Sequence, residues 1–378
     1  MKRLIAALVG VAGGLAAALS PAAAHKSSDS YLAIEVAHGH ITGQWDIALR
    51  DLDYAIGIDS DNDGNITWGE LRAHHRAIAA YALSNLALTA DGKKCTTGAI
   101  GHLVDEHSDG AYEVLRFAVD CPAAPKTLAI KYTLLFNLDP QHRGLLRLEQ
   151  SGVTHTAVFS PDRETWTLSG NSVALGQQFL DYFRTGVWHI WTGFDHILFL
   201  VALLLPAVLE RRLARWQPVG SFRQAFFEVF GIVSAFTLAH SITLSLAVLG
   251  WIALPSRLIE SVIAASVVAA ALNNLYPVVQ KRLWLVAFVF GLAHGLGFAN
   301  VLTDLALPRG ALAVSLVSFN LGVEAGQLAI VATFLPLAYL LRRSWLYPRV
   351  VLGAGSLGIA AIASGWLVER SMNVNLFS

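Results

Sequence analysis

Residues 186–208 read GVWHIWTGFDHILFLVALLLPAV, and this stretch decides the architecture. A bilayer core takes about 20 mainly apolar residues to cross, and this run is long enough. Yet it carries His189, Asp195 and His196, groups that hydrocarbon penalises. Working outward, five further apolar runs follow at 226–250, 258–276, 283–302, 311–340 and 350–368. Phe179 to Phe183, just before the first run, read as an interfacial lead-in. Residues 178–378 are therefore expected to form a six-helix transmembrane unit.

The loops between these runs set the expected orientation. Arg211, Arg212, Arg215 and Arg223 fall between runs one and two, Lys281 and Arg282 between three and four, and Arg342, Arg343 and Arg349 between five and six. The opposite loops carry only Arg257 and Arg309. Basic loops stay cytoplasmic, so both termini are expected in the periplasm of a bacterial inner-membrane protein. Lys+Arg and Asp+Glu are 27 each, which leaves no bulk charge to attract nucleic acid.

The N-terminal half has a different composition. Met1 to Ala24 combines Lys2 and Arg3, an apolar stretch from Leu4 to Leu19, and Ala22-Ala23-Ala24, the pattern of a cleaved signal peptide. Residues 25–177 contain strand-like runs at 30–36, 41–49, 114–121, 128–136, 144–148 and 153–159. Asp91-Gly92, Asp109-Gly110, Asp139-Pro140 and Ser160-Pro161 punctuate them. The expectation is a mainly β exported domain with one helical insertion. Cys95 and Cys121 are the two cysteines of the chain; in an oxidising compartment they are expected to form a disulfide.

The insertion contains an EF-hand-like loop at 59–70, Asp-Ser-Asp-Asn-Asp-Gly-Asn-Ile-Thr-Trp-Gly-Glu. Asp59, Asp61 and Asp63 supply carboxylates, Asn65 a backbone carbonyl, Thr67 a direct or water-mediated contact, and Glu70 a bidentate carboxylate. Gly64 allows the turn. This set suits Ca²⁺ in a structural role, with weak affinity of roughly 10⁻⁴ to 10⁻³ M. His25 would be the first residue after cleavage and offers an amine and an imidazole to one metal, with His38 or His40 as a further ligand.

Ionisable and polar groups recur inside the apolar runs. His189, Asp195 and His196 lie in the first; Thr237, His240, Ser241 and Thr243 in the second; Glu260 and Ser261 open the third. His294 lies in the fourth, among Gly291, Gly295 and Gly297, and Asn320, Glu324 and Gln327 lie in the fifth. At 1.5 Å per residue, Asp195, His196 and His240 come roughly 15 Å from the periplasmic end and Glu324 roughly 20 Å. Asn320, Glu324 and Gln327 share a helical face. His189, Asp195, His196, His240, His294 and Glu324 are thus expected to form one metal site, supported by Ser241, Glu260, Asn320 and Gln327. Helix-gluing polar contacts are the plainer alternative. Imidazole and carboxylate without sulfur disfavour Cu(I) and leave nickel, zinc, Cu²⁺ and iron open.

Four motifs resemble the HupE/UreJ family: His189-x5-Asp195-His196, Phe236-Thr-Leu-Ala-His240-Ser241, Phe290-Gly-Leu-Ala-His294-Gly-Leu-Gly-Phe298 and Phe319-Asn-Leu-Gly-Val-Glu324-Ala-Gly-Gln327. Members are associated with hydrogenase and urease accessory functions and are described as nickel or cobalt permeases, some in a long form with an exported domain. The resemblance implies a nickel or cobalt permease rather than an enzyme. The first motif is also similar to the His-x4-Asp-His signature of the nickel/cobalt transporter family, with one residue more. The residues admit two other readings. In one, His196, His240 and His294 hold Zn²⁺ in an intramembrane hydrolase, with Asp195 or Glu324 as base and Ser241 assisting. In the other, the chain is a membrane sensor or assembly factor. No phosphate-binding loop of the Gly-x4-Gly-Lys-Ser/Thr type occurs.

Overall fold

The computed structural model describes residues 28–37, 40–107, 110–122, 127–150, 152–169, 175–212, 215–299 and 309–372. The signal-peptide segment, His25 and His38 lie outside these. Hydrophobic alternation in the N-terminal half builds β1 (Asp29–Ala37), β2 (His40–Ala48), β3 (Leu86–Ala90), β4 (Lys93–Lys94), β5 (Thr96–His107), β6 (Gly110–Asp120), β7 (Thr127–Tyr132), β8 (Arg143–Gln150), β9 (Val153–Phe159) and β10 (Thr165–Ser169). They form a six-stranded sheet in the order β5-β6-β2-β1-β8-β9 and a four-stranded sheet in the order β10-β7-β3-β4. All pairings are antiparallel except β1 with β8.

Between β2 and β3 the chain inserts α1 (Leu49–Ile56) and α2 (Trp68–Ser84). Leu32, Trp45, Leu115, Phe117, Ile130, Tyr132 and Phe159 lie in one core with Leu52, Leu71 and Ile78 of the two helices. A disulfide joins Cys95 to Cys121, tying the start of β5 to the end of β6. The strand-like sequence runs correspond to β1, β2, β6, β7, β8 and β9. β5 gave no alternating signal because most of its residues are exposed or half-buried at the sheet edge.

The C-terminal half is helical: α3 (Leu175–Thr192), α4 (Phe194–Leu204), α5 (Phe222–Val248), α6 (Ser256–Leu275), α7 (Leu283–Gly297), α8 (Arg309–Leu341) and α9 (Gly355–Met372). A π-helical turn, Tyr347–Ala354, leads into α9, and a short hairpin of β11 (Leu209–Arg212) and β12 (Arg215–Pro218) joins α4 to α5. Six spans are expected from the sequence. Among the described residues, four helices are long and apolar enough to cross a bilayer, five if the bent pair α3 and α4 is one span. α7 has 15 residues, about 22 Å of rise against a core of about 30 Å.

The first run is where the fold departs most from a straight helix. The helix begins at Leu175, ends at Thr192 and resumes at Phe194, with a 70° bend between α3 and α4. A Cβ on Gly193 would lie 2.7 Å from the His189 carbonyl and 2.9 Å from His196 Nδ1. Only glycine fits this corner.

Glycines also set how closely the helices pack. A Cβ on Gly186 of α3 would meet the Phe319 carbonyl, and one on Gly322 of α8 the Phe183 carbonyl, both at about 2 Å. Gly295 of α7 lies against the His240 carbonyl and Thr243 of α5 in the same way. These contacts bring His189, His240, His294 and Asn320 into one neighbourhood. The β domain rests on this end of the bundle: Tyr31, Tyr112, Leu145 and Val158 share a buried cluster with Tyr182, Ile190, Phe319 and Val323. Arg163 pairs with the buried Asp181 of α3 at the same junction.

Candidate metal centre

The corner at Gly193 presents His189 from the last turn of α3 and Asp195 and His196 from the first turn of α4. Their imidazoles meet edge to face, with ring centres 4.7 Å apart. His240 on α5 adds a third ring, 6.3 Å from His189 and 6.4 Å from His196. His294 on α7 adds a fourth, 4.8 Å from His196. Ligand nitrogens of His189, His196 and His240 all lie within 4.8 Å of one another. Phe199, Phe236, Phe298 and Phe319 wall the group. His196, His240 and His294 are buried, and His189 is half-buried.

Hydrogen bonding decides which nitrogen of each ring is available. Nδ1 of His196 donates to Asp195 Oδ1 at 2.9 Å. The amide nitrogen of Asn320 donates to the Leu316 carbonyl, so its Oδ1 faces His240 Nδ1 at 3.2 Å, and an amide oxygen can only accept. The Ser266 hydroxyl donates to the Ile263 carbonyl at 2.6 Å, so its oxygen accepts from His294 Nε2 at 3.0 Å. In all three rings the protonated nitrogen is committed outward. The opposite nitrogens, His196 Nε2, His240 Nε2 and His294 Nδ1, are buried without a hydrogen-bond partner among the described residues, as is His189 Nε2. Outer groups that fix the tautomer and orient the ring are the usual companions of metal-ligating histidine.

The other expected members fall elsewhere. Glu324 accepts from Ser234 of α5 at 3.4 Å and joins no ligand group among the described residues. The shared face of Asn320, Glu324 and Gln327 is real, but it spans two turns of α8 against α5. Gln327 meets Thr237 at 3.1 Å, and only Asn320 reaches a histidine. Ser241 donates to the Thr237 carbonyl one turn back. Glu260 stands at the opening of α6, where its carbonyl accepts from Arg370.

Two partners escaped the sequence. Ser266 was hidden because a single serine in an apolar helix is ordinary. Arg370 of α9 lies 3.7 Å from Asp195 Oδ2, leaving Asp195 between His196 and a guanidinium. Its only signal was a charge at the end of the last apolar run.

In the β domain, Asp59, Asp61 and Glu70 bring carboxylate oxygens within 4.8 Å of one another. Asp59 Oδ1 is buried without a hydrogen-bond partner among the described residues, an orphan that a cation would satisfy. Asn62 and Gly64 take positive φ, which folds the loop. Gly64 N donates to Asp59 Oδ2 and Ser60 N to Glu70 Oε1, both at 2.8 Å. Thr67 caps α2 in a reciprocal box with Glu70. Amides of Thr67 and Ser60 and the Thr67 hydroxyl hold the Glu70 carboxyl down to about 2. Half-buried Ile66 packs on the domain core. Asp63 and Asn65 sit outside the carboxylate group, with Asp63 Oδ1 accepting from Asn65 N at 2.7 Å. The donor set fits a hard divalent cation. His40 opens β2 at an exposed position and joins no ligand group among the described residues.

No curated protein matches the chain. The family described as HupE / UreJ protein matches residues 164–370, more than half of the 378 residues and all of the helices that carry His189, His196, His240 and His294. Helices able to cross a membrane, a buried imidazole cluster and that match agree: this chain is a membrane protein of the HupE/UreJ family, a family of accessory and metal-transport proteins.

Proposed function

We propose that the chain is a permease for a divalent transition-metal ion of the Ni²⁺ or Co²⁺ class. His189, His196 and His240 would be the inner ligands and His294 the next. One observation carries the reading: His196, His240 and His294 have their N–H groups tied to Asp195, Asn320 and Ser266, which leaves each a buried lone-pair nitrogen, and ligand nitrogens of His189, His196 and His240 lie within 4.8 Å of one another. Neutral nitrogen donors suit these borderline ions. The reading also takes the membrane as the bacterial inner membrane, with the β domain outside, because the arginine-rich segments 211–223 and 342–349 meet, Arg342 donating to the Val219 carbonyl, and basic loops stay cytoplasmic.

A zinc hydrolase is supported less well. Its base would have to be Asp195, Glu324 or a relay through Ser241. Asp195 is held by His196 and Arg370, Glu324 lies against Ser234, and Ser241 donates to its own helix. The test is uptake of radioactive nickel or cobalt by proteoliposomes holding the wild-type, His196→Ala or His240→Ala protein. The permease reading expects loss in both variants; equal uptake in all three overturns it.

A further inference from the structure

A second imidazole–carboxylate group stands in the β domain, sharing no residue with the acidic loop or the membrane helices. His75 on α2 and His102 on β5 stack with ring centres 4.3 Å apart. His102 Nδ1 lies 2.5 Å from Oε1 of Glu113 on β6. Ligand atoms of the three lie within 4.8 Å of one another.

Each residue reaches this place for a structural reason. His75 lies one turn from Leu71 and one turn from Ile78, on the face of α2 that enters the core. Glu113 takes the place of an apolar residue: it alternates with Leu115, Phe117 and Val119, which line the core face of β6. Val104 is paired opposite Glu113, so His102, two residues along, lies diagonal to it on the same face. It does so only because the register slips by one residue at Ala99/Gly101. Without that bulge, His102 would point to the other face.

The arrangement is costly as it stands. The Glu113 side chain is fully buried, and its Oε2 has no hydrogen-bond partner among the described residues; neither does the buried Nε2 of His75. A buried carboxylate with half of its acceptor capacity unmet is destabilising unless a cation faces it.

We infer that His75, His102 and Glu113 form a second divalent transition-metal site, in the β domain, with Zn²⁺ and Ni²⁺ as the fitting class of ion. Two imidazoles and one carboxylate are the donors of open zinc-type sites, and no sulfur is present to select a soft ion. The site stands independently of the permease reading.

Metal content of the purified full-length protein in detergent tests it, with excess Ca²⁺ to fill the acidic loop. The variants are built on a His196→Ala/His240→Ala background, which silences the membrane cluster. With Zn²⁺ or Ni²⁺ as the probe, this background should retain one equivalent. His75→Gln or Glu113→Gln should weaken retention by more than about tenfold, with the circular dichroism spectrum unchanged. X-ray absorption on the zinc-loaded background, which needs no change in the β domain, should show imidazole in a nitrogen/oxygen shell at about 2.0–2.2 Å. No retained equivalent, retention indifferent to His75 and Glu113, or a shell without imidazole overturns the inference. Failure of nickel uptake leaves this result intact, so the two readings fail separately.

Discussion

Asp195 Oδ1 lies 2.9 Å from His196 Nδ1 and also accepts from the His196 backbone amide at 2.8 Å. The carboxylate therefore fixes both the ring and the first turn of α4, and leaves His196 Nε2 as the lone-pair nitrogen. Because the corner at Gly193 lies between His189, one helical turn before it, and His196, three residues after it, the same carboxylate governs how the two rings face each other.

Asp195→Asn keeps the shape and removes the charge that supports the His196 tautomer. Loss of such an outer partner weakens metal affinity about 10- to 100-fold. We expect nickel uptake with a KM raised by that factor and unchanged protein yield, measured in proteoliposomes over a range of metal concentrations. An unchanged KM would mean that Asp195 serves the helix turn alone.

Gly193→Ala tests the corner itself. The added methyl lies under 3 Å from the His189 carbonyl and His196 Nδ1, so one of the two histidines must move. Overpacking of this kind costs about 1–3 kcal/mol. A lowered Tm in detergent together with lost uptake is expected, whereas Gly176→Ala, in open space on the same helix, should change neither.

What the sequence made legible was the rarity of its polar residues. Histidines in apolar runs declare themselves, and depth counting brought Asp195, His196 and His240 to one level. The bend was illegible because the apolar run continues through Gly193. The shared helical face could not say which of its residues reaches a histidine: Asn320 meets His240, whereas Glu324 lies against Ser234. The group of His75, His102 and Glu113 could not be read at all. It depends on a one-residue bulge in β5, a strand whose edge position erased its alternating pattern.

His142 gives the β domain a pH dependence of defined sign. It is buried between Ser28 Oγ and the Tyr132 hydroxyl, each at 2.6 Å. Burial, with a smaller effect of Arg143, pushes it down to about 3. The unfolded chain takes up the proton near pH 6.5 and the folded chain does not until about 3. The stability it supports is therefore complete above pH 6.5 and is lost as pH falls toward 3. By pH 4 this amounts to roughly 3 kcal/mol. Carboxylates add their own acid sensitivity, so the measurement is a difference. His142→Gln keeps a donor and an acceptor but cannot titrate, and its unfolding free energy should fall less steeply between pH 6.5 and 4 than the wild type's.

The acidic loop should couple calcium to the stability of α2. Glu70 is both a candidate ligand and half of the Thr67 capping box, so a cation drawn to Asp59, Asp61 and Glu70 fixes the first turn of that helix. With affinity of roughly 10⁻⁴ to 10⁻³ M, about 10 mM Ca²⁺ adds on the order of 1.4 to 2.7 kcal/mol. Asp59→Asn removes a ligand without touching the cap. It should abolish the calcium-dependent rise in Tm and leave the calcium-free Tm nearly unchanged. Glu70→Gln should abolish the rise and also lower the calcium-free Tm, because the loss of its charge weakens the acceptor of the Thr67 and Ser60 amides. The contrast between the two variants separates a calcium site from an acidic turn that merely caps a helix: if calcium still raises the Tm of Asp59→Asn as in the wild type, the loop is only a cap.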